Sequence, residues 1–87
     1  CMRSVYFQAR AHKDYLYWQK TNKKTFAHIN KLIEEIRQKP FTGLGKPEPL
    51  KHNFKGCWSR RIDSEHRLVY MVKGEEIIIF NAGIITD

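Results

Sequence analysis

Apolar positions recur at two spacings along the chain, and the change between them predicts the elements. Residues 9–20 place Ala11, Tyr15 and Trp18 on one helical stripe. The following segment repeats that spacing with an apolar face formed by Phe26, Ile29, Leu32, Ile33 and Ile36. Thr21 and Asn22 separate the two helices and offer a cap for the second, which Pro40 prevents from continuing. The short connection predicts an antiparallel helix pair.

The remaining segments have the composition of strands and loops. Arg3–Gln8 is rich in β-forming residues and predicts a first strand. Residues 41–55 lose the pattern and predict a loop, with a short turn at 48–52, because glycine and proline recur there. Three further strands are predicted at 56–62, 66–72 and 76–82, joined by tight hairpin turns.

The resulting order, β-α-α-loop-β-β-β, predicts an α+β fold. An antiparallel or mixed sheet would carry both helices on one face. With 87 residues, the chain is expected to form a single domain spanning 1–87.

Charge narrows the class of partner. The chain has 16 Lys and Arg against 9 Asp and Glu, a net charge of +7, and all basic residues lie within residues 1–73. Such a surface favours a polyanion, either nucleic acid or an acidic protein, although it also fits a merely soluble basic protein. No apolar run is long enough for a membrane helix, and no signal peptide is visible. The two cysteines form no motif, and reduced thiols in a cytoplasmic protein are the simplest interpretation.

Metal and cofactor chemistry are not predicted. Neither the two cysteines nor the four histidines have the spacing of metal ligands or of a redox motif. No glycine pattern fits a nucleotide-binding loop.

One acid among many bases is the candidate site. In GKPEPLKHNFKGCWSRR (45–61), Glu48 stands between Pro47 and Pro49. The basic residues of this stretch are Lys46, Lys51, His52, Lys55, Arg60 and Arg61. Strand alternation places Arg61 and Arg67 on the sheet face away from the helices, on neighbouring strands. Two adjacent guanidiniums suit a bound anion, although Asp63 and Glu65 are also available to neutralise them.

This combination suits RNA cleavage, because RNA carries its own nucleophile in the 2′-OH. The reaction needs a base, cations for the charged phosphorane and an acid for the leaving 5′-oxygen, and it needs no metal. Glu48 is the candidate base, and Lys51, Arg61 and Arg67 are candidate phosphate ligands. The alternative is that Glu48 is only a solvated charge partner.

Three blocks carry a family resemblance: DYLYWQ (14–19), KPFTGLGKPEPLKHNFKGCWSRRI (39–62) and EHRLVY (65–70). Together they resemble the Txe/YoeB family of bacterial toxins, within the RelE/ParE superfamily, from Val5 to about Ile79. The resemblance implies a RelE-like fold and metal-independent cleavage of mRNA at the 70S ribosome. It also implies a YefM-like antitoxin and a possible homodimer. By position, Glu48 matches the general base, and Lys51, Arg61 and Arg67 match the phosphate-binding cations, with Lys46 beside them.

The end of the chain departs from that family. Where members carry a catalytic His-Tyr pair, an ungapped match places Ile85 and Thr86, which supply neither a proton donor nor an aromatic plane. Three explanations are open: cleavage is largely lost while binding is kept; the tail has been altered by a frameshift or by design; or His52 or His66 replaces the acid.

The expected function is therefore an endoribonuclease toxin, whose activity the absence of the family's His-Tyr pair would attenuate. The alternative is a non-catalytic module that binds the antitoxin, the ribosome or both. A ParE-like action on gyrase is disfavoured by Glu48, whose carboxylate suits RNA chemistry.

Overall fold

A computed structural model describes residues 3–51 and 54–84. The strands are β1 (Ser4–Phe7), β2 (Glu48–Pro49), β3 (Trp58–Arg61), β4 (Arg67–Lys73) and β5 (Glu76–Gly83). The helices are α1 (Ala9–Thr21) and α2 (Lys23–Gln38). The predicted first strand, helix pair and three C-terminal strands are confirmed, with bounds that differ by one or two residues.

The five strands form one mixed sheet in the order β1-β5-β4-β3-β2. Its first strand, β1, is parallel to β5, whereas every other pairing is antiparallel. Both helices pack on one face of the sheet, where their buried side chains meet Leu68, Tyr70 and Ile77. The α+β prediction is therefore confirmed, and the sheet is mixed rather than wholly antiparallel.

The turn predicted at 48–52 is wrong at its first two residues. Glu48 and Pro49 form an edge strand, paired with Ser59 and Trp58 of β3. Proline has no N–H to donate, so it is tolerated at an edge, where no further strand needs that bond. A hydrogen bond of 2.9 Å from Leu50 N–H to Cys57 O continues the connection.

The helix stripes form the core as predicted. Ala11, Ile29, Leu32 and Ile36 are fully buried, and Trp18 is nearly so. Asn22 caps α2 through its side-chain oxygen, which accepts the Thr25 N–H at 3.1 Å. This bond satisfies one of the donors that the first turn of α2 leaves free.

Polar side chains of α1 hold the end of β5. Trp18 donates its indole N–H to Ala82 O at 2.7 Å, and the Asp14 carboxylate accepts the Ala82 N–H at 3.1 Å. The main-chain N–H and C=O of Ala82 are thereby both hydrogen-bonded to side chains of α1, which holds the C-terminal end of β5 in place.

A buried arginine organises the loop after α2. Arg60 is fully buried on the helix side of β3, which removes it from the basic residues available around Glu48. Its guanidinium pairs with Glu35 at 2.8 Å and donates to the carbonyl oxygens of Lys39, Thr42 and Leu44. Its Nε–H donates to Tyr70 Oη at 3.2 Å, and the Tyr70 hydroxyl in turn donates to Pro40 O.

This network shifts the titration of its members. The Leu44 N–H, and then the Arg60 guanidinium, lower the pKa of Glu35 despite the opposing effect of burial. Burial raises the pKa of the Tyr70 hydroxyl, which remains a donor at neutral pH. Gly43 faces Glu35 so closely that a Cβ there would lie 1.8 Å from its Oε1.

Within residues 3–51 and 54–84, neither helix is long and apolar enough to cross a membrane.

Replacing Arg60 is expected to destabilise the fold strongly. Arg60→Leu leaves several buried or half-buried acceptors without their donor, and removing one member of a buried ion pair costs about 3–5 kcal/mol. Arg61→Leu is the matched control, because Arg61 is the exposed neighbour on the other face; a change within about 0.5 kcal/mol is expected. Denaturant unfolding measures both, and similar losses would contradict the assigned role of Arg60.

Stability is expected to fall in acid partly through Glu35. A carboxyl whose pKa is lower in the folded protein stabilises the fold above its unfolded pKa, here about 4.5. That contribution is lost as the pH falls through the folded pKa. The stability advantage of the wild type over Glu35→Gln, on the order of 1 kcal/mol at pH 7, should therefore shrink below pH about 4.5.

Denaturant titrations at several pH values measure this advantage. Glu34→Gln is the control, because Glu34 is the residue next to Glu35 and its exposed carboxylate pairs with Arg37 instead. A pH-independent advantage over Glu35→Gln would contradict the prediction.

Candidate nucleotide-cleavage site

The sheet face away from the helices gathers the charged candidates. Directly opposed residues of paired strands project to the same side of a sheet. Glu48 opposes Ser59, and Arg61 opposes Arg67. Since Ser59 and Arg61 are two residues apart on β3, all four side chains share this face. The predicted adjacency of the two arginines is confirmed.

Glu48 and Arg67 form an ion pair across β3, the strand that lies between theirs. Arg67 Nη1 lies 2.7 Å from Glu48 Oε1, and the two side chains are 28% and 53% exposed. They belong to β4 and β2, so their contact crosses β3 between Ser59 and Arg61. A carboxylate and a guanidinium this exposed stabilise a fold by about 1 kcal/mol or less. The pair therefore contributes little to the stability of the fold.

The turn acids do not neutralise the arginines. Asp63 accepts the N–H groups of Glu65 and His66 at 2.8 Å and lies 2.9 Å from His66 Nδ1. Although burial raises the pKa of Asp63, these hydrogen bonds lower it overall. The alternative in which Asp63 or Glu65 pairs with Arg61 and Arg67 is therefore wrong for the described residues.

Arg61 is an open cation of the site. It is exposed, and within the described ranges its guanidinium has no carboxylate or carbonyl at hydrogen-bonding distance. Its main-chain N–H donates to Gly45 O at 2.7 Å, which ties the preceding loop to this end of β3. This hydrogen bond places Lys46, which follows Gly45 in the sequence, beside Arg61.

Lys46 is exposed in an unusual backbone conformation. Its φ is +51°, in the left-handed region that costs a non-glycine residue roughly 1–2 kcal/mol. Gly45 before it has φ +82°, and a Cβ there would lie 3.0 Å from Arg60 Cβ. The turn thus needs glycine at 45 but carries a lysine at 46, where glycine would relieve the strain.

Lys51 lies at the other end of the edge strand. It follows Leu50, whose N–H is hydrogen-bonded to Cys57 O just before β3 begins. Lys46, in contrast, lies beside Arg61, the last residue of β3. Exposed cations therefore flank Glu48 on both sides along β2. The structure brings Lys46, Arg61 and Arg67 toward one end of this surface and leaves Lys51 at the other. His52 lies outside the described residues.

The end of β5 meets the site. Gly83 directly opposes Arg67, so the chain leaves the sheet beside the ion pair. A groove of about 330 Å³ opens next to it, lined by Arg10, Asp14, Tyr17, Trp18, His66, Gly83 and Ile84. His66 packs edge-on against Trp18, on the helix side and away from the Arg67 guanidinium. Ile85 and Thr86 lie outside the described residues.

The surroundings of Cys57 disfavour thiol chemistry. Cys57 is buried, and burial raises the pKa of its thiol, which disfavours the reactive thiolate. In residues 3–51 and 54–84, no three His, Cys, Asp or Glu side chains are grouped so as to hold a metal ion.

Sequence reasoning missed Ser59. This serine is fully buried on the charged face, and its hydroxyl makes no hydrogen bond with any of the residues that the structure describes. The signal was available, because Ser59 shares the strand parity of Arg61, but parity alone does not show which polar groups become covered.

The fold and the charged face together define a class: small basic α+β domains with a mixed five-stranded sheet and a cationic open face. The family model that matches, described as a YoeB-like toxin of a bacterial type II toxin–antitoxin system, covers residues 7–83. The chain belongs to the YoeB toxin family, and it is therefore a toxin of a type II toxin–antitoxin system.

Individual relatives agree with this assignment. Toxin YoeB of Escherichia coli K12 is 59% identical over 66 residues, which are 76% of this chain and 79% of that protein. The YoeB–YefM complex from Staphylococcus aureus matches with a TM-score of 0.88 and 41% identity, over 99% of this chain and all of the other. A YoeB dimer from the same species gives a TM-score of 0.90 and 39% identity at the same coverage.

Proposed function

We propose that the protein is a ribosome-dependent, metal-independent endoribonuclease that cleaves mRNA through the RNA 2′-OH. The single observation that carries this proposal is the Glu48–Arg67 ion pair beside the open Arg61 guanidinium. A base and two phosphate-binding cations then share one face of the sheet, in a chain of the YoeB family.

In the proposed reaction, Glu48 accepts the proton of the 2′-OH. The 2′-oxygen attacks phosphorus, the bond to the 5′-oxygen breaks, and a 2′,3′-cyclic phosphate forms on the upstream fragment. Arg61 and Arg67 stabilise the additional negative charge of the phosphorane, as preorganised cations do. Lys46 and Lys51 bind neighbouring phosphates.

Arg67 has to change partner during this reaction. In the free protein its guanidinium donates a hydrogen bond of 2.7 Å to the Glu48 carboxylate. A phosphate that binds Arg67 competes with Glu48 for that guanidinium. Glu48 is thereby released toward the 2′-OH in the step that places the phosphate.

Within the described residues, the leaving 5′-oxygen has no evident proton donor, because His66 packs against Trp18. The family's His-Tyr positions carry Ile85 and Thr86, so the proposed proton source is water. His52 lies outside the described residues. General acid catalysis typically contributes 10²–10⁴-fold, so cleavage is expected to be attenuated rather than abolished.

The proposed partners follow from charge and from the relatives. A net charge of +7 favours rRNA and mRNA on the 70S ribosome, through contacts that weaken with salt. A YefM-like antitoxin would cover the charged face, since a solved relative is a YoeB–YefM complex. A homodimer is proposed by analogy with the YoeB dimer. These partners imply the bacterial cytoplasm.

Glu48→Gln is expected to reduce cleavage about 10²–10⁴-fold, because the amide cannot accept the 2′-OH proton. Primer extension on a translated mRNA, with and without ribosomes, measures cleavage. Glu65→Gln is the control, since Glu65 is an exposed acid in the turn before β4. Unchanged cleavage by Glu48→Gln would rule out Glu48 as the base. Cleavage that persists without ribosomes would contradict the ribosome requirement.

The second candidate is a non-catalytic module that binds an antitoxin or the ribosome. The specific observation in its favour is the Ile85 and Thr86 pair. Such a chain would bind an antitoxin tightly, leave cell growth unaffected and cleave no mRNA.

Restoring the pair separates the two candidates. Ile85→His combined with Thr86→Tyr is expected to raise cleavage at least 10²-fold if the chain is an attenuated enzyme. Adding Glu48→Gln to this background should remove the gain. A restored tail that still gives no cleavage, together with intact antitoxin binding, would favour the binding module.

A further inference from the structure

The Ser59 hydroxyl is a buried polar group that makes no hydrogen bond within residues 3–51 and 54–84. The residue is completely shielded from solvent. Native proteins pair nearly all such groups, because an unpaired buried donor is costly. The few exceptions call for an explanation, and ligand binding is one.

The position of Ser59 connects it to the charged site. It directly opposes Glu48 on β2 and Val69 on β4, and it lies two residues from Arg61. Directly opposed side chains have Cβ atoms about 4.5–5.5 Å apart. The helices cover the other face, so the hydroxyl lies in the charged face, where the Glu48–Arg67 contact crosses β3.

The size of the side chain also matters. The contact between Glu48 and Arg67 has to pass over β3, and Ser59 is the small residue on that side of the strand. A larger side chain there would occupy the path of the ion pair. Alanine or glycine would leave the same room, so space alone does not account for a hydroxyl.

We propose that Ser59 is a third phosphate-binding group, which becomes available when the Glu48–Arg67 pair opens. A phosphodiester that draws Arg67 away from Glu48 would lie between Arg61 and Arg67. The Ser59 O–H would then donate to a non-bridging phosphate oxygen from beneath. The inference rests on the proposed RNA site. It adds to that site an uncharged hydrogen-bond donor that contacts the phosphate and does not distinguish between bases.

Stability and binding are expected to move differently on substitution. Ser59→Ala removes an unpaired buried hydroxyl, so the melting temperature should stay the same or rise. The same change should weaken phosphodiester binding about tenfold or more, because a hydrogen bond to a charged acceptor is lost. A purely structural serine would lower the melting temperature when replaced.

The binding probe is a short RNA with 2′-O-methyl groups throughout, which the site cannot cleave. Its dissociation constant is measured by NMR titration at several salt concentrations, for the wild type and Ser59→Ala. Ser64→Ala is the matched control, because Ser64 is exposed in the turn between β3 and β4. Arg61→Gln is the charge control.

The salt dependence separates a neutral donor from a cation. Arg61→Gln should reduce the slope of log affinity against log salt by about 0.7, the value for one phosphate contact on a single strand. Ser59→Ala should weaken binding with an unchanged slope. Wild-type affinity in Ser59→Ala would overturn the proposal, and so would a lower melting temperature or an altered slope.

The cleavage assay remains independent of this result. A chain that binds the probe through Ser59 but never cleaves mRNA would leave the proposal intact and reject the endoribonuclease function. A wild type that does not bind the probe would overturn the role of Ser59, whereas ribosomal cleavage would still be decided by primer extension.

Discussion

The buried guanidinium of Arg60 is the interaction on which the site depends. It joins Glu35 of α2, Tyr70 of β4 and three carbonyls of the loop at 39–44. A loop rich in glycine has little apolar surface of its own, so these hydrogen bonds give it a defined course. The course ends at Gly45, whose carbonyl binds Arg61, and the next residues are Lys46 and the edge strand that carries Glu48. Core and site are thus connected through one side chain.

Consecutive arginines serve opposite purposes here. Arg60 faces the helices and is completely paired, whereas Arg61 faces solvent and stays open to an anion. Strand alternation alone separates them, and this is why the Arg61–Arg67 pairing could be predicted from the sequence. The helix stripes and the three C-terminal strands were predictable for the same reason, because their periodicity records which side is buried.

Other features could not be read from periodicity. The strand formed by Glu48 and Pro49 is too short to show an alternating pattern, and the prolines on either side of Glu48 favour a loop prediction. The two residues form a strand because they pair with β3. The burial of Arg60 depends on carbonyl groups that are distant in sequence. The ion pair of Arg67 with Glu48 likewise joins residues that are distant in sequence. Ser59 shows the same limit, because composition cannot tell a surface hydroxyl from a covered one. These features are set by tertiary contacts, and a local pattern does not contain them.

The parallel pairing of β1 with β5 affects when the toxin can form. β1 emerges first during synthesis, but its neighbour in the sheet starts some seventy residues later, at Glu76. Until β5 has been made, β1 has no partner, α1 lacks the Ala82 groups that it binds, and Arg67 lacks its neighbour Gly83. The nascent chain can collapse around its helices, but it cannot complete the charged face. The charged face of the toxin can therefore be completed only after nearly all of its sheet has been synthesised.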